Sequence, residues 1–215
     1  MGPLIDPAVA AYLDGLVPAR PRELQEMETW ARTHDFPISG PACGHLCYLL
    51  ARLIGARRVF EMGSGFGYST AFFARAVREN GGGEVHHTVL DEALSTRARR
   101  HLEVLGLADA VRFHVAEAVA TLAATPGPFD LVFNDIDKEG YPAALDVIET
   151  ALRPGGLLIM DNMLWSGRIF DAANRADSTE GVREVTRRLT DRLGWAFSLA
   201  PIRDGLLVAR WEGRA

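Results

Sequence analysis

The feature that most constrains this chain is its rhythm. From residue 58 onward, short apolar runs alternate with stretches of helical period. Residues 58–62, 85–90, 111–115, 131–133 and 157–160 read as strands, the fourth entered through Phe129 and Asp130. Between them, 68–79, 92–105, 118–124 and 141–152 read as helices. Strands spaced by helices of about 10–15 residues imply βαβ units and a parallel sheet. Apolar runs without alternation suit strands covered on both faces. A helix at 179–193 follows, and strands at 195–200 and 206–211 close the chain around Arg203-Asp204-Gly205. That close spacing pairs the last two strands antiparallel, at one edge. Three helices precede the series, at 4–16, 21–34 and 41–54, with Ser39 placed to cap the third. The expected architecture is a doubly wound, Rossmann-like α/β fold. It has a mostly parallel seven-stranded sheet, an antiparallel C-terminal edge and extra N-terminal helices. Residues 1–215 form one domain, in which 1–55 act as a helical lid or dimer element.

Composition narrows the class. Apolar residues make up 48% and charged residues 24% of the 215, ordinary globular usage. No apolar run approaches the roughly 20 residues of a membrane span. The N-terminus shows no basic segment before an apolar core, so no secretory signal is expected. Two cysteines, Cys43 and Cys47, do not make a disulfide framework, and a cytoplasmic setting follows. A net charge of −5 argues against a broad nucleic-acid surface. Of the 23 basic residues, Lys138 is the single lysine. A chain that writes every other cation as arginine keeps here an amine able to lose its proton, which arginine does not do.

In a sheet of this kind, ligands sit beyond the carboxyl ends of the strands. After the first strand the chain reads Glu61-Met62-Gly63-Ser64-Gly65-Phe66-Gly67-Tyr68-Ser69-Thr70. The glycines allow a sharp turn and close approach of a ligand to the backbone. Tyr68 stands where a dinucleotide fingerprint wants a third glycine, and no Gly-Lys-Ser/Thr follows to make a P-loop. Asp91, at the end of the second strand, is placed to accept the hydroxyls of a ribose or to cap the next helix. Glu61, at a buried strand end, is placed to pair with a cationic ligand group such as an ammonium.

The other strand ends carry acids. Asn134-Asp135-Ile136-Asp137-Lys138 follows the fourth strand, and Asp161-Asn162-Met163-Leu164-Trp165-Ser166 follows the fifth. Asp135, Asp161 and Asn162 supply three oxygen ligands, two of them charged. This set suits a hard divalent cation such as Mg²⁺ rather than zinc. Lys138, three residues past Asp135, brings an amine to the same cavity. Beside a divalent cation its ammonium form is disfavoured, which suits a general base. The metal would also lower the pKa of a bound hydroxyl.

At these residues the sequence resembles the cation-dependent class I O-methyltransferases, which include catechol and caffeoyl-CoA O-methyltransferases. The resemblance runs from about residue 38 to 211. It is strongest in Asp-x-x-Lys-x-x-Tyr (Asp135, Lys138, Tyr141) and the downstream Gly-Gly…Asp-Asn-x-Leu-Trp (Gly155 to Trp165). It implies S-adenosylmethionine as methyl donor. Ser39, Glu61, Gly63, Ser64, Ser69, Asp91, Ala118 and Asp135 match cofactor-binding positions. Asp135, Asp161 and Asn162 match the ligands of Mg²⁺ or another divalent ion such as Mn²⁺ or Ca²⁺. Lys138 matches the base, with Asp135 beside it in the catalytic pair. Lys138, Trp165, Ser166 and Asp204 fall where relatives meet substrate. The family also implies a homodimer. Asn134 departs from the pattern, where a small apolar residue is usual. The segment 168–178, with Arg168 and Arg175, is where relatives differ in substrate choice.

The leading expectation is methyl transfer to a hydroxyl of a small catechol-like phenol. Methylation of a hydroxylated uridine in tRNA by the same metal site is the alternative. A nicotinamide oxidoreductase is disfavoured by Tyr68, and a decayed, non-catalytic binder by the complete acid and lysine set. The cysteines, His86 and His87 are expected to be structural, and Arg183, Arg187, Arg188 and Arg192 to form a solvated basic face.

Overall fold

The computed structural model describes residues 4–213. Among these, seven strands form one sheet: β1 (Arg58–Met62), β2 (Glu84–Val89), β3 (Val111–Val115), β4 (Phe129–Asn134), β5 (Leu152–Met160), β6 (Trp195–Ala200) and β7 (Leu206–Trp211). Their order is β3-β2-β1-β4-β5-β7-β6. β1 to β5 run parallel, and β7 is antiparallel to both β5 and β6. The doubly wound architecture and the antiparallel edge are as expected.

Eight α-helices cover the sheet: α1 (Pro7–Gly15), α2 (Arg22–Thr33), α3 (Gly40–Leu53), α4 (Tyr68–Glu79), α5 (Glu92–Val104), α6 (Ala118–Ala124), α7 (Tyr141–Ala151) and α8 (Asp177–Asp191). The central strands are buried on both faces, so side-chain alternation sorts them between two cores. Val59, Leu131, Phe133 and Ile159 face a core shared with α2, α3 and α4. Phe60, Met62, Val132 and Leu158 face the other, shared with α7 and α8. Each fully buried side chain of this size is worth about 1.5–3 kcal/mol.

Three local departures are physical. Ser39 takes the N-cap position of α3, but its hydroxyl makes no capping bond. Residues 153–156, which read as a turn, instead belong to β5, together with Leu152 from the end of the expected helix, and the pairing with β4 shifts register between Phe129 and Leu131. The late helix begins at Asp177, two residues before the expected start, which adds an acid to its first turn.

The topology fixes where the chemistry sits. β2 lies on one side of β1 and β4 on the other, so the winding reverses between β1 and β4, the place where such sheets bind ligands. β7 pairs with β5 up to Met160↔Leu207, which brings the β6–β7 turn beside the carboxyl end of β5.

Candidate active site

Gly63 and Asp135 meet at the winding reversal. Asp135 N–H donates to the Met62 carbonyl at 2.9 Å. A Cβ on Gly63, at φ +82°, would run into the Asp135 carbonyl. Only glycine lets the β1 turn and the β4 tip abut here.

The β4 and β5 tips are pinned to each other by Tyr141. Its buried hydroxyl lies 3.2 Å from the Asn134 carbonyl and 2.9 Å from the Asp161 carbonyl. Burial and the surrounding carboxylates push the Tyr141 phenol well above its ordinary value, so it keeps the one proton it shares between these two carbonyls. Asp161 is buried, and its Oδ1 accepts the Asn162 N–H at 2.8 Å. Its Oδ2 accepts from Arg203 Nη1 at 2.9 Å. Burial, with the charge of Asp135 next in weight, pushes the Asp161 carboxyl up to about 6. Lys138 Nζ is 2.8 Å from Asp135 Oδ1 and 3.1 Å from the Ile136 carbonyl. That amine also lies 5.0 Å from the Tyr141 ring centroid and 5.6 Å from that of Trp165.

The loop after β5 is held in uncommon backbone conformations. Asn162, Trp165 and Ser166 all have positive φ, at 58°, 47° and 51°. Non-glycine residues persist there, at about 1–3 kcal/mol each, only where their surroundings over-determine them. Asp204 does so here. Its carboxylate accepts from the Ser166 N–H at 2.6 Å and from Asn162 Nδ2 at 3.3 Å, and its carbonyl accepts from the Leu164 N–H at 2.8 Å. A carboxylate only accepts, so Asp204 selects the Asn162 amide nitrogen and leaves Oδ1 as the amide's free acceptor.

A cavity of about 1010 Å³ brings Gly63, Asp135, Lys138, Asn162, Trp165 and Ser166 together, with Arg203 and Asp204 on its wall. Asp161, buried beside Asn162, does not itself line it. Ser39 lies in an adjoining hollow of about 220 Å³, bordered also by Arg203, and its hydroxyl has no partner. Glu61 is fully buried on the α4 face of β1, where Oε2 accepts from the Thr70 hydroxyl while Oε1 has no partner. Burial pushes it up to about 7, against the pull of the Ser69, Thr70 and Ser64 hydroxyls. Thr70 is itself 3.0 Å from His87 Nδ1.

The remaining expected cofactor residues are engaged locally. Ser64 Oγ accepts the Thr88 N–H at 2.9 Å and donates to the Glu61 carbonyl at 3.2 Å, which ties the glycine turn to β2. Asp91 stands exposed after β2, and its Oδ1 caps α5 at the Ala93 and Leu94 amides. Ala118 is buried at the start of α6, behind the capping residue Glu117.

Cys43 and Cys47 are buried and free, and His86 and His87 are buried with separate partners, as the alternation implies. The basic face on α8 is corrected. Arg183 is turned onto the carbonyls of Ile169, Asp171 and Asn174. Arg188 and Arg192 reach Asp146 on α7, and Arg187 pairs with Glu184 and Asp191. Arginines spaced along one helix read as a basic stripe only until their partners, on the same helix or on other elements, are known.

Two contributors escaped the sequence reading, Arg203 and Gly181. Arg203 was legible only as part of the last turn; its signal is that the β6–β7 turn must abut β5 once β7 pairs with it. Gly181 lies inside α8, where a Cβ would run into the Lys138 carbonyl, so α8 backs the lysine turn closely.

The family model for O-methyltransferases matches residues 21–212 of this chain. A catechol O-methyltransferase of Mycobacterium tuberculosis is 32% identical over 92% of this chain and 96% of that protein. A catechol O-methyltransferase of Niastella koreensis is 30% identical over 81% of this chain and 79% of that protein. The structure of TomG of Streptomyces achromogenes, an O-methyltransferase of tomaymycin synthesis in complex with S-adenosylmethionine, superposes with a TM-score of 0.86. It is 28% identical, over 96% of each chain.

Proposed function

This chain belongs to the S-adenosylmethionine-dependent O-methyltransferases of the catechol O-methyltransferase type, and from that premise we propose that it methylates one of two vicinal oxygens on a small phenolic acceptor with the help of a divalent cation. The observation that carries the proposal is the convergence of Asp135, Asn162 and Lys138, from two neighbouring strand ends, on one cavity beside the Gly63 turn, with the buried Asp161 next to Asn162 in the chain.

The residues fit a hard cation. The donor set is all oxygen, and burial, with the charge of Asp135 next, raises the cost of charging Asp161. The third donor is an amide; among the described residues no group of three or more His, Cys, Asp or Glu side chains is placed to hold a metal. Asp135, Asp161 and Asn162 Oδ1 would hold a divalent ion, whose charge would favour the ionised form of an acceptor hydroxyl.

The chain's own groups do the rest. The Lys138 amine sits at the Asp135 carboxylate, where it takes the acceptor's hydroxyl proton. The Gly63 turn receives the donor's methionine part, with Glu61 beneath it to meet the ammonium and Ser39 and Ser69 at its flanks. Asp91 and Ala118 mark the ribose and adenine side. Trp165, on its strained loop, covers the acceptor and excludes water. An oxygen–methyl bond forms as the sulfur–methyl bond breaks, and the sulfur leaves with the bonding pair as a neutral thioether. Phenolate and sulfonium cancel, so the protein's main contribution is alignment, worth roughly 7–11 kcal/mol where reactants are held in line.

The test is methyl transfer from S-adenosylmethionine to caffeate, a catechol panel and undermodified tRNA, with and without EDTA. Transfer to catechols that stops on chelation and returns with Mg²⁺ is expected. Transfer that ignores chelation would remove the metal from the reaction, and transfer to tRNA alone would replace the phenolic acceptor.

A further inference from the structure

Resting on the metal reading above, we propose that Arg203 is a built-in counter-cation for Asp161 that competes with the divalent ion, so that metal enters only when the guanidinium leaves.

The carboxylate has little to share. Asp161 Oδ1 is taken by the adjacent Asn162 N–H, and Oδ2 by Arg203 Nη1 at 2.9 Å. The Asp161 side chain is 1% exposed, so solvent does not compensate it. A guanidinium carries five N–H donors, no acceptor and a permanent charge. It cannot bind the ion itself, and like charge opposes their shared use of one oxygen. Oδ2 keeps a second lone pair, but the guanidinium charge held against it opposes a divalent ion there, and departure of Arg203 removes that opposition.

Arg203 has somewhere to go. Its side chain is 32% exposed, and it lines both the main cavity and the hollow beside Ser39 and Cys43. Its backbone shows what the position contributes. Arg203 has a φ of 52°, inside a turn closed by the Ile202 and Gly205 amides. Glycine would adopt that conformation without strain. The turn does not ask for arginine; the carboxylate across from it does. Asp135 has a different arrangement, since its partner Lys138 lies on the same loop and touches one oxygen only. Without either cation, two carboxylates would face each other uncompensated whenever the metal is absent.

The experiment is a Mn²⁺ titration of the full chain, with free Mn²⁺ read by electron paramagnetic resonance and neither donor nor acceptor present. Wild type is compared with Arg203→Gly, which suits the backbone, with Arg203→Met, which keeps the stem, and with Asp161→Asn. Melting with and without Mn²⁺ accompanies each. Both Arg203 variants are expected to bind Mn²⁺ roughly 5–150-fold tighter, the usual span of a coupling between two sites. They should melt below wild type without metal and recover when it is added. Asp161→Asn should lose binding. Should one Arg203 variant fail to fold, the other decides. Equal or weaker Mn²⁺ binding by the folded Arg203 variants, with Asp161→Asn still defective, would overturn the competition and leave the metal reading standing. Mn²⁺ binding absent from wild type and Arg203 variants alike, or undisturbed in Asp161→Asn, would overturn the metal reading and this inference with it.

Discussion

Two buried carboxylates lie at opposite ends of the site, and the fold treats them in opposite ways. Glu61, under the β1 turn, is surrounded by hydroxyls, has one oxygen without a partner, and has no ion pair among the described residues. Asp161, at the β5 tip, has both oxygens satisfied, one of them by Arg203. A buried acid must be neutralised or paired. Glu61 takes the first course, with burial pushing it up to about 7, and Asp161 takes the second. The contrast teaches what each end awaits. An acid left with an open oxygen is ready for a cation that arrives with its ligand. An acid already paired must exchange one cation for another.

The largest effect separates the two ends by function. Lys138→Met should lower turnover by roughly 10²–10⁴-fold, the usual contribution of a general base. Equilibrium binding of S-adenosylmethionine should be unchanged, because the amine's hydrogen bonds go to Asp135 and Ile136, not to Glu61. Calorimetry beside a radiolabelled methyl assay measures both. A parallel loss of donor affinity would show that the ends do not act separately.

Next in size is a stability effect confined to Glu61. Its folded pKa, about 7, is above the ordinary 4.5, so between these values the folded protein binds more protons than the unfolded chain. Stability therefore falls as pH rises through this window, by about 3 kcal/mol for this group. Asp161 contributes in the same direction, so the informative quantity is the difference between wild type and Glu61→Gln in urea unfolding across pH ~4.5 to ~7. That difference should change steadily through the window; a flat difference would mean that Glu61 is already paired.

The same substitution carries a smaller effect on binding. An ammonium meeting Glu61 prefers the carboxylate, so donor affinity should rise as pH climbs towards about 7. Glu61→Gln should bind the donor about 10–100-fold more weakly, as for a lost hydrogen bond to a charged group, and without that pH dependence. Retained affinity would place the ammonium elsewhere.

The sequence was most legible where one element determines the answer. Strand periodicity and spacing placed β1 to β5, whereas the reversal between β1 and β4 comes from the observed strand order. The Asp135-x-x-Lys138 spacing placed the amine at the carboxylate, and the pair forms as an i,i+3 contact. What was not legible depends on contacts between elements far apart in the chain. Asp204 lines the cavity, and nothing in the sequence signalled that its carboxylate also holds the 162–166 loop, a pairing set by β7 lying against β5. Arg203 was invisible for the same reason. The α8 arginines misled because Asp146 and Glu149 lie on α7. Asn134, noted only as unusual, is fully buried with both amide atoms unpartnered among protein groups, and nothing in the structure explains that choice.

The smallest effect tests whether the reacting end is held rigidly from behind. Gly181 sits within α8, where Gly→Ala ordinarily stabilises by about 1 kcal/mol through helix propensity. Against that, a Cβ here would overlap the Lys138 carbonyl, and the obstructing atom is backbone, which does not swing aside as a side-chain tip would. Overpacking of this kind costs typically about 1–3 kcal/mol. The clash should win narrowly, so Gly181→Ala should lose on the order of 1 kcal/mol in stability. The displaced 138–140 turn should also lower turnover, with donor affinity intact. A variant that melts above wild type at full turnover would show that the turn yields freely. Lys138 would then be positioned by its contacts with Asp135 and Ile136 and not by α8 behind it.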